Sequence, residues 1–165
     1  KRGLKIIALK MVWPTSEHID KHYPSHNEWF SSVGARTSEF FKNKNIDVKE
    51  HFGTENAAEI GKQVKSWLAD YMTSGPVVAI AVEGMHAITA VRKLVGHTYP
   101  IEALPGTIRG DFSVDTPSAA NVEKRVVKNI VHASGNNEEA AHEIEHWFAP
   151  EEIHDYKRAD EDIMF

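Results

Sequence analysis

The sequence contains no cysteine among its 165 residues, which excludes a disulfide framework and any thiolate metal site. It also lacks a long apolar run. The most apolar stretch, Pro76 to Val82, falls far short of the roughly 20 residues needed to span a bilayer, and no signal-peptide pattern precedes the first strand-like segment. No membrane partner is expected, and a cytoplasmic location is. Basic charge is scarce as well: 19 Lys and Arg against 24 Asp and Glu leave a net charge of -5. A protein that binds nucleic acid by neutralising phosphates needs the opposite balance. No nucleic-acid partner is expected, and any phosphate must be met by a few local side chains. What is present, 41% hydrophobic and 26% charged residues, suits one globular domain over residues 1–165 with its own core.

Local patterns divide the chain. Lys5 to Val12 is β-branched and apolar and closes on Trp13-Pro14-Thr15-Ser16, a strand followed by a turn and a helix N-cap. Ser16 to His26 is helix-compatible, whereas Asn27 to Glu55, interrupted by Gly34, Asn43, Asn45 and Gly53, reads as an irregular excursion that contains some helix. Ile60, Val64, Trp67, Leu68 and Tyr71 give Ala57 to Met72 a helical period; Gly75-Pro76 stops it, and Val77 to Val82 reads as a core strand. A short helix near Ala87 to Val95 ends at Gly96. The stretch Thr98 to Phe112, with Pro100, Pro105, Gly106 and Gly110, reads as a loop of the length that is usually functional, and Ser113 to Arg125 extends it. Val126 to His132 reads as a strand, and Asn136 or Asn137 caps a helix from Glu138 to Phe148 that Pro150 ends. The charged tail 154–165, with Asp160-Glu161-Asp162, is expected to wrap a neighbour or hang loose.

Two motifs compete over the C-terminal third and share Glu143. His142-Glu143-Ile144-Glu145-His146 spells the His-Glu-x-x-His pattern that sets two imidazoles one helical turn apart to hold zinc. A catalytic zinc site needs a third ligand, and the spaced Gly and His that extend the pattern in one protease group are absent after His146. The other constellation is His132 at the end of the expected strand, Glu143 on the following helix, and Pro105-Gly106-Thr107-Ile108-Arg109-Gly110-Asp111-Phe112 before them. A neutral imidazole is a workable nucleophile toward phosphorus, and a carboxylate on its other ring nitrogen fixes the tautomer and supports the developing positive charge. Two glycines and Arg109 offer backbone approach and a bidentate guanidinium for phosphate oxygens, with Arg92 as a second clamp.

Four segments carry a resemblance: Thr73-Ser74-Gly75-Pro76-Val77-Val78, the run from Arg92 through Gly96 to Thr98 and Pro100, the Pro105 to Phe112 octet, and Asn129-Ile130-Val131-His132-Ala133-Ser134. In order and approximate spacing they resemble nucleoside diphosphate kinases, and the similarity runs from Arg2-Gly3 to Phe148-Ala149-Pro150-Glu151. The resemblance implies a ferredoxin-like α/β sandwich, an antiparallel sheet with helices packed on it, assembled into a homo-oligomer, a hexamer before a tetramer or dimer. It implies transfer of the γ-phosphoryl group from a nucleoside triphosphate such as ATP to a nucleoside diphosphate through a phosphohistidine at His132, with Mg2+ riding on the nucleotide phosphates. Glu143 would orient the imidazole, Ser134 would support that pair, and Tyr23 would sit beside it. Arg92, Thr98 and Arg109 would bind phosphates, Asn129 the ribose, and Val126 and Leu68 the base, with Trp29, Phe30 or Trp67 as the stacking aromatic.

There are departures. The family's Lys-Pro-Asp strand and following helix precede the point where this sequence starts, so an incomplete sequence is expected, lacking a central strand and a phosphate-binding lysine. Segments 34–60 and 115–124 are longer than usual, and Ala133 and Gly135 stand where the family usually has Gly and Asp. Two rivals accordingly stay open: an inactive nucleotide-binding scaffold, and a zinc peptidase built on His142 and His146.

Overall fold

The computed structural model describes residues 3–159. In chain order the elements are β1 (Lys5–Val12), α1 (Ser16–His22), α2 (Asn27–Asn43), α3 (Val48–Phe52), α4 (Ala57–Thr73), β2 (Val77–Glu83), α5 (Ala87–Val95), α6 (Ile108–Phe112), α7 (Pro117–Val122) and α8 (Asn137–Trp147), with 3-10 turns at Pro100–Glu102 and Pro150–Glu152. The class is α/β, as expected. The elements sort into two compact units, one of Lys1–Trp13, Pro76–Asp115 and Asn129–Phe165, the other of Pro14–Gly75 and Thr116–Lys128. The second holds nearly all of the two segments expected as insertions.

In the first unit β1 and β2 pair antiparallel from Lys5 opposite Glu83 to Val12 opposite Val77, with a bulge between Ile6 and Ala8. They bond directly to each other, so no strand lies between these two. The small side chains Ala8 and Ala81 face one another and pack under Phe148, with Ile7, Ala79, Ile144, Trp147 and Ile153 around them. Lys10 lies 5.1 Å from the centre of the Phe148 ring and bonds Glu152 at 2.5 Å, tying the end of α8 back to β1. The described part of the tail does not hang loose. It lies along β1, where His154 N donates to Ile7 O at 2.8 Å, Tyr156 Oη donates to Ile6 O at 2.8 Å and Lys5 Nζ donates to Tyr156 O at 3.0 Å. The first two of these bonds meet the carbonyls of Ile7 and Ile6 at the bulge, where the ladder is irregular. Asp160-Glu161-Asp162 lie outside the described residues.

The expected strand from Val126 to His132 is not formed; these residues run without regular structure. Val126, Val127 and Val131 are half-buried there, while Ile130 is exposed. The expected irregular tract from Asn27 to Glu55 is mostly helix. Asn43 and Gly53 are helix ends rather than breakers within a loop, Gly53 closing α3 at φ 72°, while Gly34 sits inside α2 because the backbone of α4 comes so close that a Cβ there would lie 1.8 Å from Ala57 O. Gly61 on α4 is the reciprocal position, its virtual Cβ 2.0 Å from Phe30 O. Phe41, Val48, Phe52 and Ile60 form the core of this second unit, with Trp67 stacked on Phe52 at 5.5 Å. The buried Lys65 ammonium reaches Asp20 Oδ1 at 2.6 Å and also Ser25 Oγ, which ties α4 to α1 and the loop after it. Segment 113–125, expected as loop, contains α7, entered through Pro117 with Thr116 Oγ1 capping Ala119 N at 3.0 Å.

Two predictions follow from this packing. Gly61→Ala has no room to be absorbed by a flexible side chain, so the overpacked α2–α4 contact should lose about 3 kcal/mol; urea unfolding followed by tryptophan fluorescence should show it, and an unchanged midpoint would sink the close-approach argument. His51 stands among Phe41, Phe52 and Trp67 with Nε2 buried and unbonded. Burial above all, and the charge of Lys124, hold it below its ordinary pKa. Folded His51 then binds fewer protons than unfolded His51, so stability that is complete above the unfolded pKa of about 6.5 declines as the pH falls below it. Thermal melts across that range should show the decline, and His51→Phe should flatten it; equal slopes in the two proteins would contradict the assignment.

Candidate active site

The nucleophile candidate sits between two anchored pieces of the first unit. On one side α8 is started by Asn136, whose Oδ1 accepts from Glu139 N at 2.8 Å, and Glu139 Oε2 reaches back to accept from Gly135 N at 2.7 Å. Such caps fix the first turn of a helix, and one turn further on α8 presents Glu143. Its carboxylate is engaged through both oxygens: Oε1 lies 2.8 Å from His132 Nε2, and Oε2 accepts from Ser134 Oγ at 2.5 Å. The Glu143 side chain is 16% exposed and that of His132 41%, so the carboxylate is sheltered while the imidazole opens outward.

On the other side is a tight turn. Val131 N donates to Asn129 O at 2.8 Å, closing a three-residue turn around Ile130, which has φ 59°. A β-branched residue in the left-handed region is a genuine outlier, costing about 1–3 kcal/mol, and persists only where its surroundings over-determine it. Arg109 lies on the short helix α6 rather than in the expected loop and is buried, with all three guanidinium nitrogens donating to main-chain carbonyls: Nε to Asn129 O at 3.3 Å, Nη1 to Gly96 O at 3.1 Å and Nη2 to Val131 O at 2.5 Å. Burial, and secondarily the charge of Arg92 on α5, lower its pKa. Asn129 Nδ2 donates to Thr98 O at 3.2 Å. The ends of α5 and α6 meet at Gly96, φ 90°, where a Cβ would lie 2.4 Å from Thr107 Oγ1.

The first unit therefore brings His132, Glu143 and Ser134 into direct contact, and joins Arg109, Asn129 and Thr98 to the turn before His132, with Arg92 near enough to act on Arg109 by its charge. Tyr23, Leu68 and Val126 belong to the second unit. Tyr23 follows α1, half-buried between the rings of His22 (4.6 Å) and Trp29 (6.2 Å). Leu68 is half-buried on α4, and Val126, also half-buried, follows α7 with its carbonyl taking a bond from Arg125 at 2.9 Å. Of the aromatic candidates, Trp67 is committed to the stack on Phe52, and Phe30 faces the ammonium groups of Lys62 and Lys65 at 5.8 and 6.0 Å. The rings of His142 and His146 lie parallel 6.0 Å apart on α8, but the Glu between them serves His132 and Ser134. Sequence patterns mark Gly96 as a helix end and place Ile130 in an expected strand, but they do not announce the close approach at Gly96 or the strain at Ile130, because a positive φ at an isoleucine has no residue-type signal.

A family model described as nucleoside diphosphate kinase matches residues 37–153. The nucleoside diphosphate kinase of Pyrobaculum aerophilum is 48% identical over 153 residues, covering 93% of this chain and 84% of that protein, and that of Archaeoglobus fulgidus is 39% identical, covering 100% and 81%. Among solved structures, an NDP kinase from Pyrobaculum aerophilum superposes with a TM-score of 0.88 at 48% identity, covering 92% of this chain and 83% of that one. A nucleoside-diphosphate kinase from Borrelia burgdorferi, a transition state mimic with bound vanadate and ADP, gives 0.73 at 34% identity, covering 96% and 78%.

The Ser134 contact can be tested without any assay of activity. Ser134→Ala leaves a sheltered carboxylate short of one donor and should cost about 1–3 kcal/mol in urea unfolding, whereas a loss too small to measure would show the bond to be dispensable.

Proposed function

Because the chain belongs to the nucleoside diphosphate kinase family, we propose that it moves the γ-phosphoryl group of a nucleoside triphosphate to a nucleoside diphosphate in two half-reactions through His132. The observation that carries this reading is the 2.8 Å contact between His132 Nε2 and Glu143 Oε1. With the Nε2 proton donated to the carboxylate, the ring lone pair resides on Nδ1, which is the nitrogen that attacks. The Nδ1 lone pair forms a bond to the γ-phosphorus while the bridging β–γ P–O bond breaks, and the nucleoside diphosphate departs. The imidazole keeps its Nε2 proton and takes a positive charge, which Glu143 offsets in a sheltered setting where such an interaction is stronger than in water. A terminal phosphate oxygen of the second nucleoside diphosphate then attacks the same phosphorus, the N–P bond breaks, and neutral His132 is restored.

The surrounding side chains have roles consistent with this. Arg92, with Thr98 and the remaining N–H groups of Arg109, would meet the phosphates; Asn129 would bind the ribose; Tyr23, Leu68 and Val126 would shape the base and histidine surroundings. Both Glu143 oxygens are already engaged and the arginines are cationic, so these residues fit Mg2+ carried on the nucleotide phosphates rather than ligated by side chains. Mg2+ would neutralise phosphate charge as the phosphoryl group moves. Assembly into a homo-oligomer, a hexamer before a tetramer or dimer, and a cytoplasmic location complete the proposal. Association is favoured by the exposed apolar side chains Leu9, Met11, Val78 and Ile80 on the sheet, and no helix among the described residues is long and apolar enough to cross a membrane.

Incubation with γ-labelled ATP tests this directly. The protein should take up an acid-labile, base-stable label that ADP removes; His132→Ala should take up none, and Glu143→Ala should label slower by on the order of 100-fold. Absence of label with ADP binding retained would leave the scaffold reading standing, and chelator-sensitive peptidase activity would restore the zinc one.

A further inference from the structure

Arg109 is 8% exposed, and three of its N–H groups point at main-chain carbonyls. Two of those carbonyls, on Asn129 and Val131, bracket Ile130, the residue held at φ 59°. The Asn129 oxygen is also the acceptor of the Val131 N–H bond that closes the turn. The third carbonyl belongs to Gly96, at the end of α5. His132 is the next residue after Val131.

We propose that Arg109 is a positioning residue, a clamp that holds the turn at Ile130 closed against its own strain and so aims the imidazole of His132. This rests on the reading of His132 as the nucleophile. An isoleucine at positive φ returns to the β or right-handed α region when it can, and the bond from Val131 N to Asn129 O is by itself poor restraint. A guanidinium is a rigid planar fork that spans carbonyls on two chain segments at once. A lysine at the same place carries the charge but is a point donor and cannot bridge them. Ile130 is 48% exposed, so the strain is not compensated by burial of its side chain, and a glycine there would adopt the same φ at no steric cost without opening a cavity. The clamp is distinct from phosphate binding: a residue acting only on phosphate gains nothing from a change at Ile130.

The test compares Arg109→Met, Arg109→Lys, Ile130→Gly and the double variant Arg109→Met with Ile130→Gly. Three quantities are read: the single-turnover rate of labelling of His132 at saturating ATP, the KM for ATP in that labelling, and the hydrogen exchange of the Val131 amide. Arg109→Met and Arg109→Lys should each lose about 100-fold in the saturated rate, the scale of a misplaced reacting group, and should speed exchange at Val131. Adding Ile130→Gly to Arg109→Met should recover about tenfold in rate, which is about 1.4 kcal/mol, and slow the exchange again. The clamp is overturned if Arg109→Lys keeps the wild-type rate and exchange, if Arg109→Met raises only KM, or if the double variant loses the product of the two single losses. Should Arg109→Met fail to fold, Arg109→Lys with and without Ile130→Gly answers the same question. If wild-type protein takes no label, the nucleophile reading fails, and Val131 exchange alone still decides whether Arg109 holds the turn.

Discussion

A carboxylate with both oxygens taken determines what the rest of the site can do. Glu143 accepts from Ser134 through Oε2 and lies 2.8 Å from His132 Nε2 through Oε1, so its carboxylate is held toward the imidazole and is not free to act as the general base of a zinc site built on His142 and His146. In the proposed mechanism the tautomer of His132, the nitrogen that attacks, and the offset of charge in a phosphorylated ring all follow from that one bridge. α8 supports it from below: the Asn136 cap and the Glu139 bond to Gly135 hold its first turn, while Trp147 and Phe148 at its end pack on Ala8 and Ala81 of the two strands. The sheet's part in this bridge is support. It is the fixed surface against which the carboxylate is aimed.

The imidazole comes from a less comfortable piece of chain. Where a strand would have spread the backbone evenly, residues 126–132 run irregularly and tighten at Ile130, and that strain is retained by bonds from a buried arginine on a five-residue helix. A relaxed carboxylate on a capped helix thus faces a histidine on a constrained turn. Such pairing of rigid support with local strain is what preorganisation of a reacting group requires.

Much of this was legible from residue types. Strand Lys5–Val12, helix Ala57–Thr73, strand Val77–Glu83 and the Asn136-capped helix follow from periodicity and caps, because there local preference and burial agree. His132 and Glu143 were legible as a pair, since a nucleophile and its orienter have recognisable chemistry, and Ser134 joined them only through the resemblance to the family. The rest was hidden for a physical reason. Gly34 and Gly61 look like helix breakers until the two helices are seen to touch backbone to backbone; Val126 to His132 has the composition of a strand, and only tertiary bonds from Arg109 show that it is a turn. Arg109 itself has the residue type of a phosphate clamp, yet its partners are carbonyls that no sequence pattern announces.

The nitrogen that carries the phosphoryl group is the most direct check on the Glu143 bridge. Phosphorus and nitrogen NMR of the labelled protein, kept at alkaline pH where phosphohistidine survives, distinguishes attachment at Nδ1 from attachment at Nε2. Phosphate on Nδ1 of His132, in a protein whose Nε2 still carries its proton toward Glu143, is the expected result. Phosphate on Nε2 would mean that the carboxylate does not hold that nitrogen during the reaction, and would contradict the assignment of Glu143.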